Sequence, residues 1–315
     1  MKKIIWIPLL VGGLLVASGT ALVACNLPHT KGIETPYDFS GKEIKSVSMD
    51  LSISDISFKV GDSAKVICKE REKNHHEVSL NEENNALSIR FNMMKKWYNF
   101  ADLFQPRFGV EVYLPAGSYE TLNIKHSTGT VDIASGFTFS TLEIEGSTGD
   151  NNIKTNVTNK LHIKQSTGDI SLSDTKAGEI DLDVSTGELN LSNVEATGNV
   201  KLKTSTGKIN VNNFKCNDLT LEASTGDVSM NEAVASGKAF VKTSTGDITL
   251  KEFDASEVEI STSTGDIEAE FLTIKNVEAS ETTGKKNIDK ELDREAGGKC
   301  KISTSTGNIK LTLKR

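Results

Sequence analysis

Aromatic residues make up only 6% of this 315-residue chain, which also has few prolines (5) and cysteines (4). So few aromatics suit a thin structure filled by Leu, Ile and Val better than a thick globular core. The spacings of Cys25, Cys68, Cys216 and Cys300 match neither a zinc motif nor a dense disulfide framework. Cys68 and Cys300 are therefore predicted to be small buried hydrophobic residues.

The formal net charge is −7, and no basic stripe with interleaved aromatics is present. Both features argue against nucleic acid as a partner. No catalytic constellation or cofactor motif is visible, so we predict a protein that is not an enzyme, with no cofactor and no metal site. His75 and His76 lie in the polar segment Lys69–Asn85 and are predicted to belong to a solvated turn.

The N-terminus carries Lys2 and Lys3 and then an uncharged run from Ile4 to Cys25. That run is long enough to cross a bilayer as a helix, and the lysines would stay in the cytoplasm. Alternatively, Leu22–Cys25 resembles a bacterial lipobox, in which Cys25 would be lipidated after cleavage. Both interpretations make residues 1–25 an anchor or lipoprotein signal, attach the chain to a bacterial cell membrane and place the rest on its extracytoplasmic side. Residues 26–42 are predicted to be a linker.

Ser-Thr-Gly recurs through the rest of the chain at intervals of 19 or 20 residues, with a last interval of 23 and Thr-Thr-Gly at one repeat. A fixed period in this range indicates stacked repeats. The repeat glycines, predicted to be structural corners, are Gly129, Gly149, Gly168, Gly187, Gly207, Gly226, Gly246, Gly265, Gly284 and Gly307.

Apolar residues alternate with mostly polar ones on both sides of each glycine, as at Leu202 and Ile209 around Gly207. Positions −5 and +2, counted from the glycine, are an odd number of residues apart, so both can face inward only if the chain turns between them. The pattern predicts an all-β fold: a single-stranded parallel β-solenoid (β-helix) with 19–20-residue coils, preceded by one N-terminal transmembrane or signal helix. Residues 121–315 would be regular coils and 43–120 degenerate ones, with Ile53–Ile56 as a worn corner. The last strand would leave an open sheet edge.

The residue after each corner glycine is mostly acidic, as at Asp150, Asp169 and Asp266. A column of carboxylates could bind cations. The interpretation that we favour is a solvated turn face that keeps rods from associating.

An insertion at 92–107 places Met93, Trp97, Phe100 and Phe104 at helical spacing. One hypothesis is an amphipathic helix that contacts a membrane surface or a partner. The favoured alternative is a cap that covers an end or side of the solenoid.

The run VEVYLPAGSYETLNIKHSTGTVDI, followed by repeated LxIxxSTGDIxL, resembles the bacterial "putative adhesin" family of unknown function, in the toast-rack group of envelope proteins. The resemblance extends from about Val47 to the C-terminus. It implies a β-solenoid exposed at the cell envelope, with a role in adhesion or in sensing envelope stress. The family has no established catalytic residues to carry over.

These observations favour a non-enzymatic cell-envelope surface protein that presents a repetitive β-solenoid for adhesion or for binding a ligand or partner. Its partner would be a cell-wall polymer, a glycan or an envelope protein. The alternative is an envelope-stress sensor that acts through a membrane partner. A polysaccharide-cleaving β-helix enzyme is less favoured, because the even coil length leaves no loop to carry a cleft before the last interval.

Overall fold

The computed structural model describes residues 32–71, 75–91 and 108–315, which form 24 β-strands and no helix. None of these residues therefore belongs to a helix that is long and apolar enough to cross a membrane. The anchor or signal predicted for residues 1–25 lies outside the described residues.

The N-terminal part contains seven strands. They are β1 Gly32–Asp38, β2 Ser46–Ile53, β3 Asp55–Val60, β4 Lys65–Arg71, β5 Glu77–Asn81, β6 Ala86–Phe91 and β7 Gly109–Leu114.

The repeats supply the remaining strands. They are β8 Gly117–Thr128, β9 Val131–Ile133, β10 Phe137–Thr148, β11 Asn151–Ile153, β12 Asn156–Thr167, β13 Ile170–Thr186, β14 Leu189–Ala196, β15 Val200–Thr206, β16 Ile209–Cys216, β17 Leu219–Thr225, β18 Val228–Thr245, β19 Ile248–Thr264, β20 Ile267–Phe271, β21 Lys275–Thr283, β22 Lys286–Ile288, β23 Gly298–Thr306 and β24 Ile309–Leu313.

Successive coils pair in parallel and in register, so equivalent residues lie beside one another. Leu142 pairs with Leu161 before the corner, Ile209 with Val228 after it, and Phe253 with Phe271 further along the coil. The predicted all-β solenoid is thereby confirmed, with about ten turns. The strands before each corner form what we call face A, and those that begin two residues after the corner form face B.

The core is the column of inward side chains between these faces. Leu182, Leu202 and Leu221 are fully buried at one repeat position, and residues such as Phe214 and Phe253 fill the side opposite the corner. Burial alternates residue by residue along the strands, as the sequence pattern predicts. Cys68 and Cys300 are buried as predicted, and so is Cys216.

The backbone at each corner is accessible only to glycine. All ten repeat glycines have φ between +128° and +154°, a region that residues with a Cβ rarely adopt. A Cβ on Gly207 would lie 1.9 Å from the carbonyl oxygen of Gly187 in the adjacent coil, and the other corners are equally close. The N–H of Gly207 also donates to the carbonyl of Thr225 at 3.0 Å. Neighbouring corners therefore stack backbone against backbone.

Inward threonines three residues before the corner add a second contact. The hydroxyls of Thr204, Thr243, Thr262 and Thr304 each donate to the carbonyl of a corner glycine in the adjacent coil, at 3.1–3.3 Å. These bonds satisfy hydroxyls that would otherwise be buried without a partner.

At the N-terminal end, the order of coils in space differs from their order in the chain. β2 and β3 lie between the coil of β8 and β9 and the coil of β6 and β7. Ser54 takes the corner position, and its N–H donates to the carbonyl of Thr128 at 2.9 Å. The segment Ile53–Ile56 is thus a degenerate corner, as predicted, with Ser54 in place of the glycine.

Antiparallel strands add to this end, which a purely parallel solenoid would not contain. β5 pairs with β6, β4 with β7 and β1 with β4, all antiparallel. Part of the segment predicted to be a linker is therefore the strand Gly32–Asp38. Covering the outermost parallel strands removes part of the unpaired sheet edge that could otherwise pair with another chain.

The C-terminal end also departs from chain order. β23 pairs with β19 on one side and with β21 on the other, and β24 lies likewise between β20 and β22. The expectation that the last strand leaves an open edge is therefore wrong. After residues 289–297, the chain forms its final coil, β23 and β24. This coil lies between the coil of β19 and β20 and the coil of β21 and β22.

Lys275 stabilises this insertion from inside. It is 1% exposed, and its ammonium forms an ion pair with Asp254 and donates to the carbonyl of Ala255 at 2.8 Å. Its backbone binds the crossing segment through Leu292 and Arg294. A buried ammonium requires such partners, because an unpaired charge inside a protein is strongly unfavourable.

We expect Gly207→Ala to lower the free energy of unfolding by about 2–5 kcal/mol, because the new Cβ would collide with Gly187 and occupy a strained φ. Urea unfolding followed by circular dichroism measures this. Gly117→Ala is the matched control, since a Cβ there meets nothing within 4 Å. Equal effects of the two substitutions would contradict this account of the corner.

We expect Lys275→Met to destabilise the protein by about 3–5 kcal/mol, because it leaves Asp254 in a mostly buried site without its cation. Lys310→Met is the control, since Lys310 and Glu268 form an exposed pair at 2.6 Å whose loss should change little. The measurement is the melting temperature of each variant. A Lys275→Met protein as stable as the control would show that the buried pair does not hold the inserted coil.

Candidate functional site

The outer surface of face A carries charges of alternating sign. The column four residues before the corner alternates from coil to coil: Lys125, Glu145, Lys164, Asp183, Lys203, Glu222 and Lys242. Lys125 and Glu145 lie 3.2 Å apart. Opposite charges on neighbouring strands are mutually favourable, so this face is close to neutral but densely charged.

Face B carries an uncharged strip in the middle of the solenoid. We call it the Asn/Ser strip; its members are Ser171, Ser173, Asn190, Ser192, Asn210, Asn212, Ser229 and Asn231. They line a shallow groove of about 460 Å³ and are exposed or half-buried. Charged residues occur again on either side of it, at Lys154 and Lys251.

Amide hydrogen bonds between coils hold the strip in one orientation. The Asn210 side chain donates to that of Asn190 at 2.9 Å, and Asn231 donates to Asn212 at 2.8 Å. Each amide has two donors and an acceptor with two lone pairs, so one bond leaves further capacity toward solvent. The strip therefore offers donors and acceptors at the spacing of the coils, about 4.8 Å.

The acidic column after the corners has a structural role. The Asp150 carboxylate accepts a hydrogen bond from the backbone N–H of Asp169 at 2.9 Å, and Asp247 accepts one from Asp266 at 2.8 Å. Each carboxylate thus binds the backbone of the adjacent coil. These contacts support the turn-face interpretation over a cation-binding column.

A second polar group is buried beside the N-terminal antiparallel strands. We call it the Glu70 cluster and define it as Ser54, Cys68, Glu70 and His76, which are all at most 3% exposed. Glu70 Oε1 accepts the backbone N–H of His76 at 2.5 Å and lies 3.1 Å from Nδ1 of the same ring. His76 Nε2 lies 3.1 Å from Ser54 Oγ. One ligand atom each of Cys68, Glu70 and His76 lie within 4.8 Å of one another.

Burial and hydrogen bonding act in opposite directions on Glu70. Burial raises the pKa of its carboxyl group, but bonds from Thr35, His75 and His76 outweigh burial and hold that pKa below its usual value. Burial lowers the pKa of His76 in spite of the nearby carboxylate. Burial also raises the pKa of the Cys68 thiol to about 12.

The prediction of a solvated turn is wrong for His76. His75 has a side chain that is 56% exposed, whereas the His76 ring is fully buried and stacks on Phe91 at 4.5 Å. The sequence contained one signal for the cluster: Val66, Cys68 and Glu70 alternate on β4, which turns Glu70 inward. The partner of that carboxylate is not visible in the sequence, because His76 reaches it only through the fold.

Other predicted functional residues cannot be placed. Cys25 and the insertion residues Met93, Trp97, Phe100 and Phe104 lie outside the described residues. The insertion itself falls between β6 and β7, where a regular coil has its corner. Phe91 and Phe108, which flank it, stack at 4.6 Å beside His76.

One further imidazole lies in the inward column where four of the nine later coils have threonine. His126 is 5% exposed, and neither ring nitrogen has a hydrogen-bond partner among the described residues. Its neighbour in the next coil is Gly146, where a Cβ would lie 2.4 Å from His126 Nε2. Burial lowers the pKa of His126 below its usual value near 6.5.

The model of the family Toastrack DUF4097 matches residues 44–312, which is most of the chain. The chain belongs to the Toastrack DUF4097 family. This confirms the resemblance recognised from the Ser-Thr-Gly repeats. No curated protein matches this Toastrack sequence.

Several solved structures are similar to this Toastrack chain. A "putative adhesin" from Bacteroides fragilis has 14% identity and a TM-score of 0.44, covering 89% of this chain and 97% of that one. A "putative adhesin" from Parabacteroides merdae has 11% identity and a TM-score of 0.41, with coverages of 91% and 98%. A "putative lipid binding protein" from Parabacteroides distasonis has 13% identity and a TM-score of 0.33, with coverages of 89% and 98%.

We expect the stability of this Toastrack protein to fall as the pH drops from about 7 to 5. His126 has a lowered pKa in the folded state, so the unfolded chain binds more protons as the pH falls through 6.5. His126→Gln should reduce this dependence, and His76, whose pKa is also lowered, should account for part of the remainder. Melting temperatures across this range measure it. Identical pH profiles for wild type and variant would exclude His126 as a contributor.

Proposed function

We propose that this protein is a non-enzymatic component of the bacterial cell envelope that binds an uncharged glycan along the Asn/Ser strip of its solenoid. The observation that carries the proposal is the contrast between the two faces. Face A is charged in almost every coil, whereas the third and fifth positions after the corner, on face B, have no charge in four consecutive coils around Asn210.

The chemistry of the strip suits neutral hydroxyl groups. Asn and Ser side chains both donate and accept hydrogen bonds, and so do sugar hydroxyls. An anionic polymer would be expected to need cationic side chains, which the strip lacks. The fixed amide orientations reduce the entropy lost when a ligand binds.

Regular repetition suits an extended ligand. Each coil adds another set of donors and acceptors about 4.8 Å further along the rod. Individually weak contacts can then combine along a polymer. The strands of face B continue from coil to coil without a long loop, which supports binding rather than catalysis in a cleft.

The cellular location proposed here derives from the N-terminal sequence pattern and from the toast-rack resemblance. Residues 1–25 would attach the protein to the membrane and leave the solenoid outside. The strip would then face the cell wall or the surroundings of the cell.

The test compares binding of the full-length protein to a neutral polysaccharide and to an anionic wall polymer by co-sedimentation. We expect the neutral polymer to be retained. Asn210→Ala/Asn231→Ala should weaken binding about tenfold or more, since two fixed amides are lost. Lys203→Ala/Glu222→Ala changes the same two coils on face A and serves as the control.

Equal binding by both double variants would contradict a role for the strip. Selective retention of the anionic polymer would contradict an uncharged ligand. Capture of an envelope protein that the Asn210→Ala/Asn231→Ala variant still binds would favour the stress-sensing alternative.

A further inference from the structure

The buried Glu70 cluster places the His76 ring between a hydroxyl group and a carboxylate. The Ser54 hydroxyl donates its one proton to the carbonyl of Ile53 at 2.6 Å. Ser54 Oγ also lies 3.1 Å from His76 Nε2, so the ring can carry its proton on Nε2 and donate it to Ser54. In that tautomer, the other nitrogen, Nδ1, has a lone pair that can bind a metal ion.

That lone pair faces a carboxylate oxygen. His76 Nδ1 lies 3.1 Å from Glu70 Oε1, and both groups are buried. In the other tautomer, the Nδ1 proton is donated to this oxygen. A metal cation bound by both atoms would take the place of that proton.

We propose that Cys68, Glu70 and His76 form a zinc-binding site. The sulfur, carboxylate oxygen and imidazole nitrogen lie within 4.8 Å of one another. The 3.1 Å between His76 Nδ1 and Glu70 Oε1 is close to the separation of two ligand atoms around a tetrahedral ion. Thiolate, imidazole and carboxylate are all zinc ligands, and the thiolate makes magnesium or calcium a poor match. Three protein ligands leave a fourth position for water.

The surroundings of the three residues resemble the outer contacts of metal ligands. Ser54 Oγ lies 3.1 Å from His76 Nε2, and the ring stacks on Phe91. Glu70 Oε2 accepts bonds from the Thr35 hydroxyl at 2.6 Å and lies 2.9 Å from His75 Nδ1. Such contacts orient ligands and raise metal affinity.

His75 connects the cluster to the surface. Its side chain is 56% exposed and its Nδ1 lies 2.9 Å from Glu70 Oε2. His75 and Phe91, on which the His76 ring stacks, line a groove of about 480 Å³. The bound ion would join β4 to the segment at His76 and, through Ser54, to the first corner of the solenoid.

The site makes a spectroscopic prediction, because cobalt commonly replaces zinc at such sites and reports its ligands. Full-length protein freed of metal with a chelator is titrated with Co²⁺ and, separately, with Zn²⁺. We expect one equivalent to bind, with near-ultraviolet absorption from a cobalt–thiolate bond and visible bands of tetrahedral intensity. Saturating Zn²⁺ should raise the melting temperature by about 5 °C or more.

Cysteine variants locate the site. Cys68→Ser should abolish the thiolate absorption, whereas Cys216→Ser and Cys300→Ser, which alter equally buried cysteines outside the cluster, should retain it. The triple variant Cys25→Ser/Cys216→Ser/Cys300→Ser keeps Cys68 as the one cysteine in the sequence. It should still give the full absorption, and it keeps the test decisive if Cys68→Ser does not fold.

Loss of the absorption in the triple variant would overturn the proposal. So would the absence of stoichiometric binding to the wild type, or an unchanged thiolate band in a folded Cys68→Ser protein. His76→Gln should weaken Zn²⁺ binding at least tenfold. The metal result is independent of glycan binding, because the cluster and the Asn/Ser strip share no residue.

Discussion

The close approach of one corner glycine to the next is the contact on which the rest of this structure depends. At Gly207, the carbonyl oxygen of the adjacent corner occupies the place that a Cβ would need. Three sets of hydrogen bonds converge on the same column, from the glycine N–H, from the inward threonine and toward the acidic residue after the corner. Because these bonds run between coils, each coil is stabilised mainly by its neighbours, as expected for a stacked repeat.

The two ends of the stack need other structure than the repeat, because the first and last coils each have a strand edge that no further coil pairs with. Antiparallel strands cover one end, and a reordered pair of coils forms the other. Buried ionic groups occur at both of these places, at Glu70 with His76 and at Lys275 with Asp254. In each case a polar group joins segments that lie outside the regular register, where apolar alternation alone does not specify the packing.

The outward positions along the strands of the two faces do not fill the core and can therefore carry function. Face A uses them for alternating charges, and the middle of face B for amides and hydroxyls. The Glu70 cluster lies elsewhere, beside the antiparallel strands and the base of the 92–107 insertion. Glycan binding and metal binding, as proposed, would thus occupy separate parts of the solenoid. The glycan site depends on the regular repeat, whereas the metal site depends on the antiparallel strands that interrupt the repeat.

The sequence alone determined the coil, its corner glycines and the residues that face inward, such as Leu202 and Ile209. This was possible because in-register stacking makes every coil obey the same local pattern. The fold alone decided that β24 lies between two strands, that β4 pairs antiparallel with β7 and β5 with β6, and that His76 contacts Glu70. Alternation along a strand states which side is buried, but pairing at a strand edge is a competition between distant segments. Which segment pairs with a given strand edge therefore leaves no periodic signal in the sequence.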